Sequence, residues 1–143
     1  MSKREKVRVE KAFKWVQHKL NTKYHLIFKP FIAAKDSVGK NAHIAVERSL
    51  RSTEDPDNFI VYFDSKNTKE RSFKFLKQDA LHEIIHFIGW KKADVFEDAC
   101  KHIKNKALLK SLTDRYYDTE EFSTYTICRA VGPFIITRYE KVD

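Results

Sequence analysis

Residues 78 to 90 form the stretch that most restricts the fold of this chain. They contain no proline, and Leu81, Ile84, Ile85 and Ile88 recur at intervals of one to four residues along it. This spacing predicts an amphipathic helix that turns an apolar face toward a core. Gly89 follows the last of these residues and is expected to end the helix.

The same stretch places His82, Glu83 and His86 in the pattern His-Glu-Ile-Ile-His. Histidines four residues apart lie one turn apart on one helix face, so both imidazoles can reach a single tetrahedral Zn²⁺. Glu83 lies beside that position, where its carboxylate can act as a general base toward a zinc-activated water. The pattern therefore predicts a hydrolytic zinc site. Two alternatives stay open: two ordinary histidines on an amphipathic helix, and a zinc ion that binds without catalysis.

Length and composition predict one globular domain over residues 1–143. A chain of this size can bury a real core without disulfides, and 42% of its residues are hydrophobic. We find no secretory signal and no apolar run long enough to cross a bilayer, so we expect a soluble, cytoplasmic protein with no membrane partner. Cys100 and Cys128 lie far apart in the sequence and are expected to be reduced.

The apolar pattern predicts an α+β fold. We expect an N-terminal helix, a small antiparallel or mixed sheet, the helix of the two histidines, and C-terminal helices. The helices are predicted over residues 5–20, 70–89, 94–109 and from Asp118 or Thr119 to Val131, and the strands over residues 24–28, 42–49 and 58–65. Turn residues between the last two strands make them antiparallel neighbours.

Two further segments complete the predicted fold. Gly132 and Pro133 are expected to stop the last helix. Residues 134–139 are predicted to form either a closing strand or an extended arm, and residues 33–41 a loop.

Positive charge is concentrated near the N-terminus. The chain carries a formal net charge of +8, and eight Lys and Arg against two Glu give residues 1–24 a charge of +6. A solvated basic face on a packed helix is the simpler explanation, and contact with nucleic acid or another anionic surface is the alternative. The Lys-rich residues 101–110 are a second candidate for such a contact.

A catalytic zinc site requires a third protein ligand. The longer metzincin pattern matches as far as Gly89 and then fails, because Lys92 occupies the position of its third histidine. Glu121 is the favoured ligand, since it shares a helical stripe with Tyr125 and Cys128 beside Phe122. Less favoured candidates are Glu120, His102, Asp94, Glu97 and Asp98. Either member of the pair Glu120 and Glu121 is also explained as an acidic residue that stabilises a helix N-terminus.

In this order of elements, with His82, Glu83, His86 and Glu121, the chain resembles the small prokaryotic and phage-type zincin metallopeptidases, which are minimal gluzincin-like hydrolases. The resemblance covers the layout of residues 42–133 and includes an aromatic residue, Tyr125, four positions after Glu121. It implies peptide hydrolysis in a protein substrate, with Zn²⁺ as cofactor and Glu83 as general base.

The resemblance also implies how substrate is held. A strand near residues 42–49 would bind it by β-augmentation, and a donor would stabilise the developing oxyanion. The candidate donors are Tyr116, Tyr117, Tyr125, His102 and Arg129.

Three different functions are also compatible with the sequence. The chain could be a basic nucleic-acid-associated protein in which zinc is structural or absent, a zincin that acts on DNA-bound proteins, or a degenerate zincin that serves as a binding module.

Overall fold

The structure, a computed structural model, describes residues 3–31, 44–48 and 58–136. The elements follow the order α1 (Lys3–Leu20), β1 (His25–Phe31), β2 (Ile44–Arg48), β3 (Asn58–Asp64), α2 (Ser65–Glu70), α3 (Phe73–Cys100) and α4 (Lys106–Ile135). The described part of the chain is therefore mostly helical and broadly α+β.

The three strands form a mixed sheet of order β1-β3-β2. β2 runs antiparallel to β3, and β1 runs parallel to β3, with Leu26 opposite Phe59 and Phe28 opposite Val61. A wholly antiparallel sheet, one of the two expected arrangements, is therefore wrong. β1 and β3 can pair in parallel because they are connected by residues 32–57, which include β2 and are long enough for a crossover.

The core lies between one face of this sheet and the helices α1 and α3. β3 alternates, with Phe59, Val61 and Phe63 directed inward. Phe59 stacks on Phe87 of α3, with ring centroids 4.1 Å apart, so the strand and the helix that carries the histidines share one packed aromatic contact. The inward residues of the two helices are Val9, Ala12, Phe13 and Val16 of α1, and Phe73, Leu76, Ala80, Leu81, Ile84 and Phe87 of α3.

Helix α3 is longer than predicted. The expectation that Gly89 ends it is wrong: no glycine in the described residues has a positive φ, and α3 continues for eleven residues to Cys100. The reason is tertiary. An added Cβ at position 89 would overlap Oε1 of Glu120, so a side chain there would have to displace the end of the Glu120 side chain. Gly89 therefore allows close approach of α4 and does not cap the helix.

The predicted separate helices over residues 94–109 and from Asp118 are also wrong. Residues 94–100 belong to α3, residues 101–105 form a turn, and Asn105 caps α4 by accepting from Leu108 N at 3.1 Å. Asp118 and Thr119 therefore lie inside α4 and cap nothing.

Gly132 and Pro133 do not stop α4, which ends at Ile135 with Pro133 inside it. Pro133 lies in the last turn, so few helical residues follow the point that its ring disturbs, and Ile136 N still donates to Gly132 O at 2.7 Å. Of the predicted C-terminal strand or arm, residues 134 and 135 are helical and residues 137–139 lie outside the described residues. The predicted loop over residues 33–41 also lies outside them.

None of the helices in the described ranges has both the length and the apolar composition that a bilayer-spanning segment requires.

Candidate metal centre

Helix α3 positions His82 and His86 on its flank. Its start is determined by Ser72, whose hydroxyl accepts from Phe75 N at 3.3 Å, and its inward face is held by the buried apolar residues of the core. The two histidines lie one turn apart at the border of that face, and both remain partly exposed. Their Nε2 atoms are 3.1 Å apart.

Helix α4 runs back along α3 and brings Glu121 to these two imidazoles. Glu121 Oε1 lies 3.0 Å from His82 Nε2, and Oε2 lies 2.9 Å from His86 Nε2. Glu121 lies in the middle of α4 and not in a first turn, so the explanation that it stabilises a helix N-terminus is wrong. The structure thus brings together the three residues predicted as ligands.

The three donor atoms have the spacing that a tetrahedral ion requires. Each of His82, His86 and Glu121 offers one ligand atom, and these atoms lie within 4.8 Å of one another. For ligands about 2.05 Å from Zn²⁺ at tetrahedral angles, neighbouring ligand atoms are about 3.3 Å apart. The two Nε2 atoms are 3.1 Å apart, and they lie 3.0 and 2.9 Å from the two different oxygens of Glu121, slightly less than that edge. Two imidazoles and one carboxylate, with Glu121 47% exposed, fit zinc with a position left open for water.

Thr124 lies behind His86, beside Nδ1, the ring nitrogen that does not face this cluster. It is the one buried residue of α4, at 1% exposure. Its hydroxyl donates to Glu120 O at 2.9 Å, so its oxygen is left to accept from His86 Nδ1, which lies 3.4 Å away. The tautomer with the proton on Nδ1 directs the lone pair of Nε2 toward the carboxylate of Glu121, and it is the tautomer that binds a metal ion through Nε2.

His86 Nε2 and Glu121 Oε2 are 2.9 Å apart. Two acceptor atoms at this distance repel each other unless a proton or a cation lies between them. Burial, followed by the neighbouring His82, lowers the pKa of His86. The neutral imidazole is therefore favoured, and it is the form that binds metal ions. The convergence of lone pairs from His86 and Glu121 is the arrangement that a divalent cation would neutralise.

Glu83 follows His82 on α3 and lies in a poorly hydrated environment. Burial raises the pKa of Glu83 to about 8, and the negative charges of Glu121 and Asp79 add to this effect. Asp79 is held by Arg71 through two hydrogen bonds of 2.5 and 2.8 Å. A dication at the ligand cluster would lower the pKa of Glu83 by favouring its charged form. The carboxyl is thus placed in a site where its proton affinity depends on a bound ion.

Glu120, the second candidate for the third ligand, is outside the ligand group. Its carboxylate lies against Gly89, and Oε2 is 3.7 Å from Lys92 Nζ. Lys92 occupies the position where the metzincin pattern requires histidine, and here its side chain pairs with an acid. The remaining candidate ligands lie elsewhere: His102 is exposed beyond the end of α3, Glu97 accepts from Tyr117, and Asp98 pairs with Lys101, while Asp94 is outside the ligand group.

Of the predicted oxyanion donors, Tyr125 lies nearest to the histidines. Its ring centroid is 4.7 Å from that of His82. Tyr117 donates to Glu97 at 2.6 Å, an interaction that together with burial raises the pKa of Tyr117 to about 12, and Tyr116 stacks on Phe96. Arg129 is exposed on α4.

Thr124 is a residue of the site that the sequence did not lead us to expect. Its spacing, three residues after Glu121 and four after Glu120, places it on the same side of the helix as both glutamates. That spacing was the available signal, because the helix predicted from Asp118 or Thr119 to Val131 already contained these three residues.

Comparison of the chain with protein-family models, with curated proteins and with solved structures found no match. The function is therefore inferred from the chemistry of the site.

Proposed function

We propose that the chain is a zinc metallopeptidase, a single zincin-like domain over residues 1–143 that hydrolyses peptide bonds in a protein substrate in the cytoplasm. The observation that carries this proposal is the position of Glu121, whose two carboxylate oxygens lie 3.0 and 2.9 Å from the Nε2 atoms of His82 and His86. A chance pair of histidines would not require a carboxylate from a second helix at both ring nitrogens.

Each residue then has a distinct role. His82, His86 and Glu121 would hold the ion, and Thr124 would keep the Nε2 lone pair of His86 directed at it. When bound, Zn²⁺ supplies Lewis-acid polarisation of the scissile carbonyl and activation of water. Glu83 would accept the proton of the attacking water and donate it to the leaving amine; a bound dication would lower its raised pKa and so favour the ionised carboxylate that accepts the proton.

Tyr125 is the best placed candidate for stabilising charge on the scissile oxygen. Its ring already lies against His82, and half of its surface is exposed. The expected substrate strand is β2, which is paired with β3 on one side.

The first experiment measures zinc per chain in the purified protein by elemental analysis, with the variants His82→Ala, Glu121→Ala and Glu120→Ala. We expect about one zinc per chain in the wild type and in Glu120→Ala, and loss of zinc in the other two. Glu120→Ala is the matched control, because it removes an adjacent carboxylate on the same helix. Absence of zinc from the wild type after incubation with excess metal, or equal loss in both glutamate variants, would contradict the proposed site.

Hydrolysis is tested separately with Glu83→Gln. The zinc-loaded wild type and this variant are incubated with a mixed library of unfolded polypeptides, and new amino termini are identified by mass spectrometry. We expect new termini from the wild type and few or none from Glu83→Gln at equal zinc content. Cleavage by Glu83→Gln at the wild-type rate would refute the mechanism.

A further inference from the structure

A cleft of about 610 Å³ lies between the C-terminal half of α1 and strand β1. Lys14, His18, Lys23 and His25 line it, and all four are exposed. Glu10, the one carboxylate among its lining residues, has its own partner in Lys6 at 3.9 Å. We name this feature the basic cleft. It presents lysine ammonium groups to solvent around a concave surface.

The basic cleft has a well-defined backbone. Gln17 bridges the end of α1 and the start of β1, since its Oε1 accepts from Tyr24 N at 2.7 Å and its Nε2 donates to Tyr24 O at 3.3 Å. Asn21 turns the chain there with a φ of 55°. Lys14 and Lys23 therefore project from backbone positions that are held relative to each other before any ligand binds.

Charge compensation distinguishes the basic cleft from the other Lys-rich segment. In residues 101–110, Lys101 lies 2.9 Å from Asp98 and Lys110 lies 2.6 Å from Asp114, contacts that raise the pKa of both lysines. Lys14 and Lys23 have no carboxylate partner among the described residues. Residues 3–31 contain nine Lys and Arg against two Glu, a charge of +7 out of the total of +8. Two of the four lysines in residues 101–110 are thus paired with acids, whereas residues 3–31 carry most of the net charge.

The shape of this surface favours an extended polyanion over a membrane. An amphipathic helix that binds lipid inserts its apolar face, but Val9, Ala12, Phe13 and Val16 of α1 are fully buried in the core. The exposed residues Lys11 and Lys14 follow one another along α1 at a rise of about 4.5 Å, and Lys23 lies beyond the end of this helix, so lysines are distributed along one direction. Phosphates of a nucleic acid strand provide a comparable linear series of charges.

We propose that the basic cleft binds the phosphate backbone of a nucleic acid. The contacts are sequence-independent, because lysine ammonium groups act on phosphates as point charges. Binding does not depend on the metal centre, since Glu121 and the two histidines lie on the α3–α4 side of the molecule.

The test measures fluorescence anisotropy of a labelled oligonucleotide, single-stranded or annealed to its complement, from about 50 to about 200 mM salt. The variant Lys14→Gln/Lys23→Gln is compared with Lys101→Gln/Lys110→Gln, which removes the same charge elsewhere. For the first variant we expect affinity at least 10-fold lower and, on duplex, a salt slope smaller by about 1.8. The second variant should bind within about twofold of the wild type, as should His82→Ala.

Three results would overturn the proposal. The first is no binding of either oligonucleotide at the lowest salt, and the second is an equal loss in the two lysine pairs. The third is that neither oligonucleotide binds, while the wild type binds vesicles of phosphatidylcholine and phosphatidylserine in equal amounts and Lys14→Gln/Lys23→Gln does not. This third result would identify a lipid surface as the partner. Loss of zinc in His82→Ala with unchanged oligonucleotide binding would leave the two sites independent.

Discussion

Replacement of Thr124 by valine tests whether the residue behind His86 controls metal affinity. Valine has nearly the same shape as threonine and suits a position that is 1% exposed, but it has no oxygen to accept from His86 Nδ1. Removal of the hydroxyl also removes its hydrogen bond to Glu120 O, but this bond is additional to the backbone hydrogen bonds that form α4. The helix should therefore persist while the preference of His86 for the Nδ1–H tautomer is lost.

The expected effect follows from the length of the contact. Partners behind a metal-binding histidine typically contribute 10- to 100-fold to affinity. The separation of 3.4 Å is long for a hydrogen bond, so we expect the low end, about 10-fold weaker zinc binding or about 1.4 kcal/mol. Thr124→Ser keeps the oxygen and should bind zinc within about threefold of the wild type, although it loses a buried methyl group.

Zinc affinity is measured by competition with a chromophoric chelator at neutral pH, and the far-ultraviolet circular dichroism of each metal-free variant is recorded as a control for folding. The tautomer of His86 is read from ¹⁵N chemical shifts of its ring in the metal-free protein. Equal affinity of the wild type and Thr124→Val, or equal weakening by serine and valine, would refute the role assigned to the hydroxyl. A wild type that binds no zinc would instead refute the metal centre itself.

Three further predictions follow from the described contacts. Zinc at about 100 times its dissociation constant should raise the melting temperature by roughly 5 to 10 °C, measured by calorimetry, and should not shift that of His82→Ala. Because Glu120 lies outside the ligand group, Gly89→Ala should displace its side chain and still bind zinc within about twofold of the wild type, as should Gly89→Ala/Glu120→Ala, so a larger loss in the single variant would contradict this placement of Glu120. Burial, followed by Glu121 and Glu83, raises the pKa of Cys128 to about 11. In a Cys100→Ala background, Cys128 should therefore react with iodoacetamide at pH 8 roughly 100-fold more slowly than an unfolded cysteine, and its contribution to stability should be present below about pH 8.5 and lost as the pH rises toward 11.

The candidate site was easier to predict from the sequence than the ends of the helices. The spacing of His82 and His86 depends only on helical geometry, which a local pattern specifies. Glu121 was selected because of its stripe with Tyr125 and Cys128, and the structure places its carboxylate at both imidazoles. The competing explanation, that Glu121 stabilises a helix N-terminus, is wrong, because residue 121 lies in the middle of α4. Its role as a ligand stays a prediction.

The predicted boundaries of α3 and α4 are wrong because contacts between helices, which the local sequence does not show, decide where these helices end. Gly89 has the local character of a helix end, and only the approach of Glu120 from α4 explains why glycine occurs inside a helix. Pro133 has a similar local character, but the last turn of α4 tolerates it because few backbone bonds remain to be lost. The parallel pairing of β1 with β3 likewise depends on a long connection between them. The alternation of apolar and polar residues predicts a strand but not the direction in which it pairs.

The thirty residues of α4 contribute a single buried side chain, and this has a consequence for the order in which the molecule opens. An element with so little buried surface is expected to detach in local opening events well below the free energy of global unfolding, while α3, with its face in the core, exchanges its amides only when the whole domain unfolds. An ion held jointly by residues 82, 86 and 121 would act as a cross-link that closes a loop of about forty residues between the two helices. Metal loading would then merge two cooperative units into one.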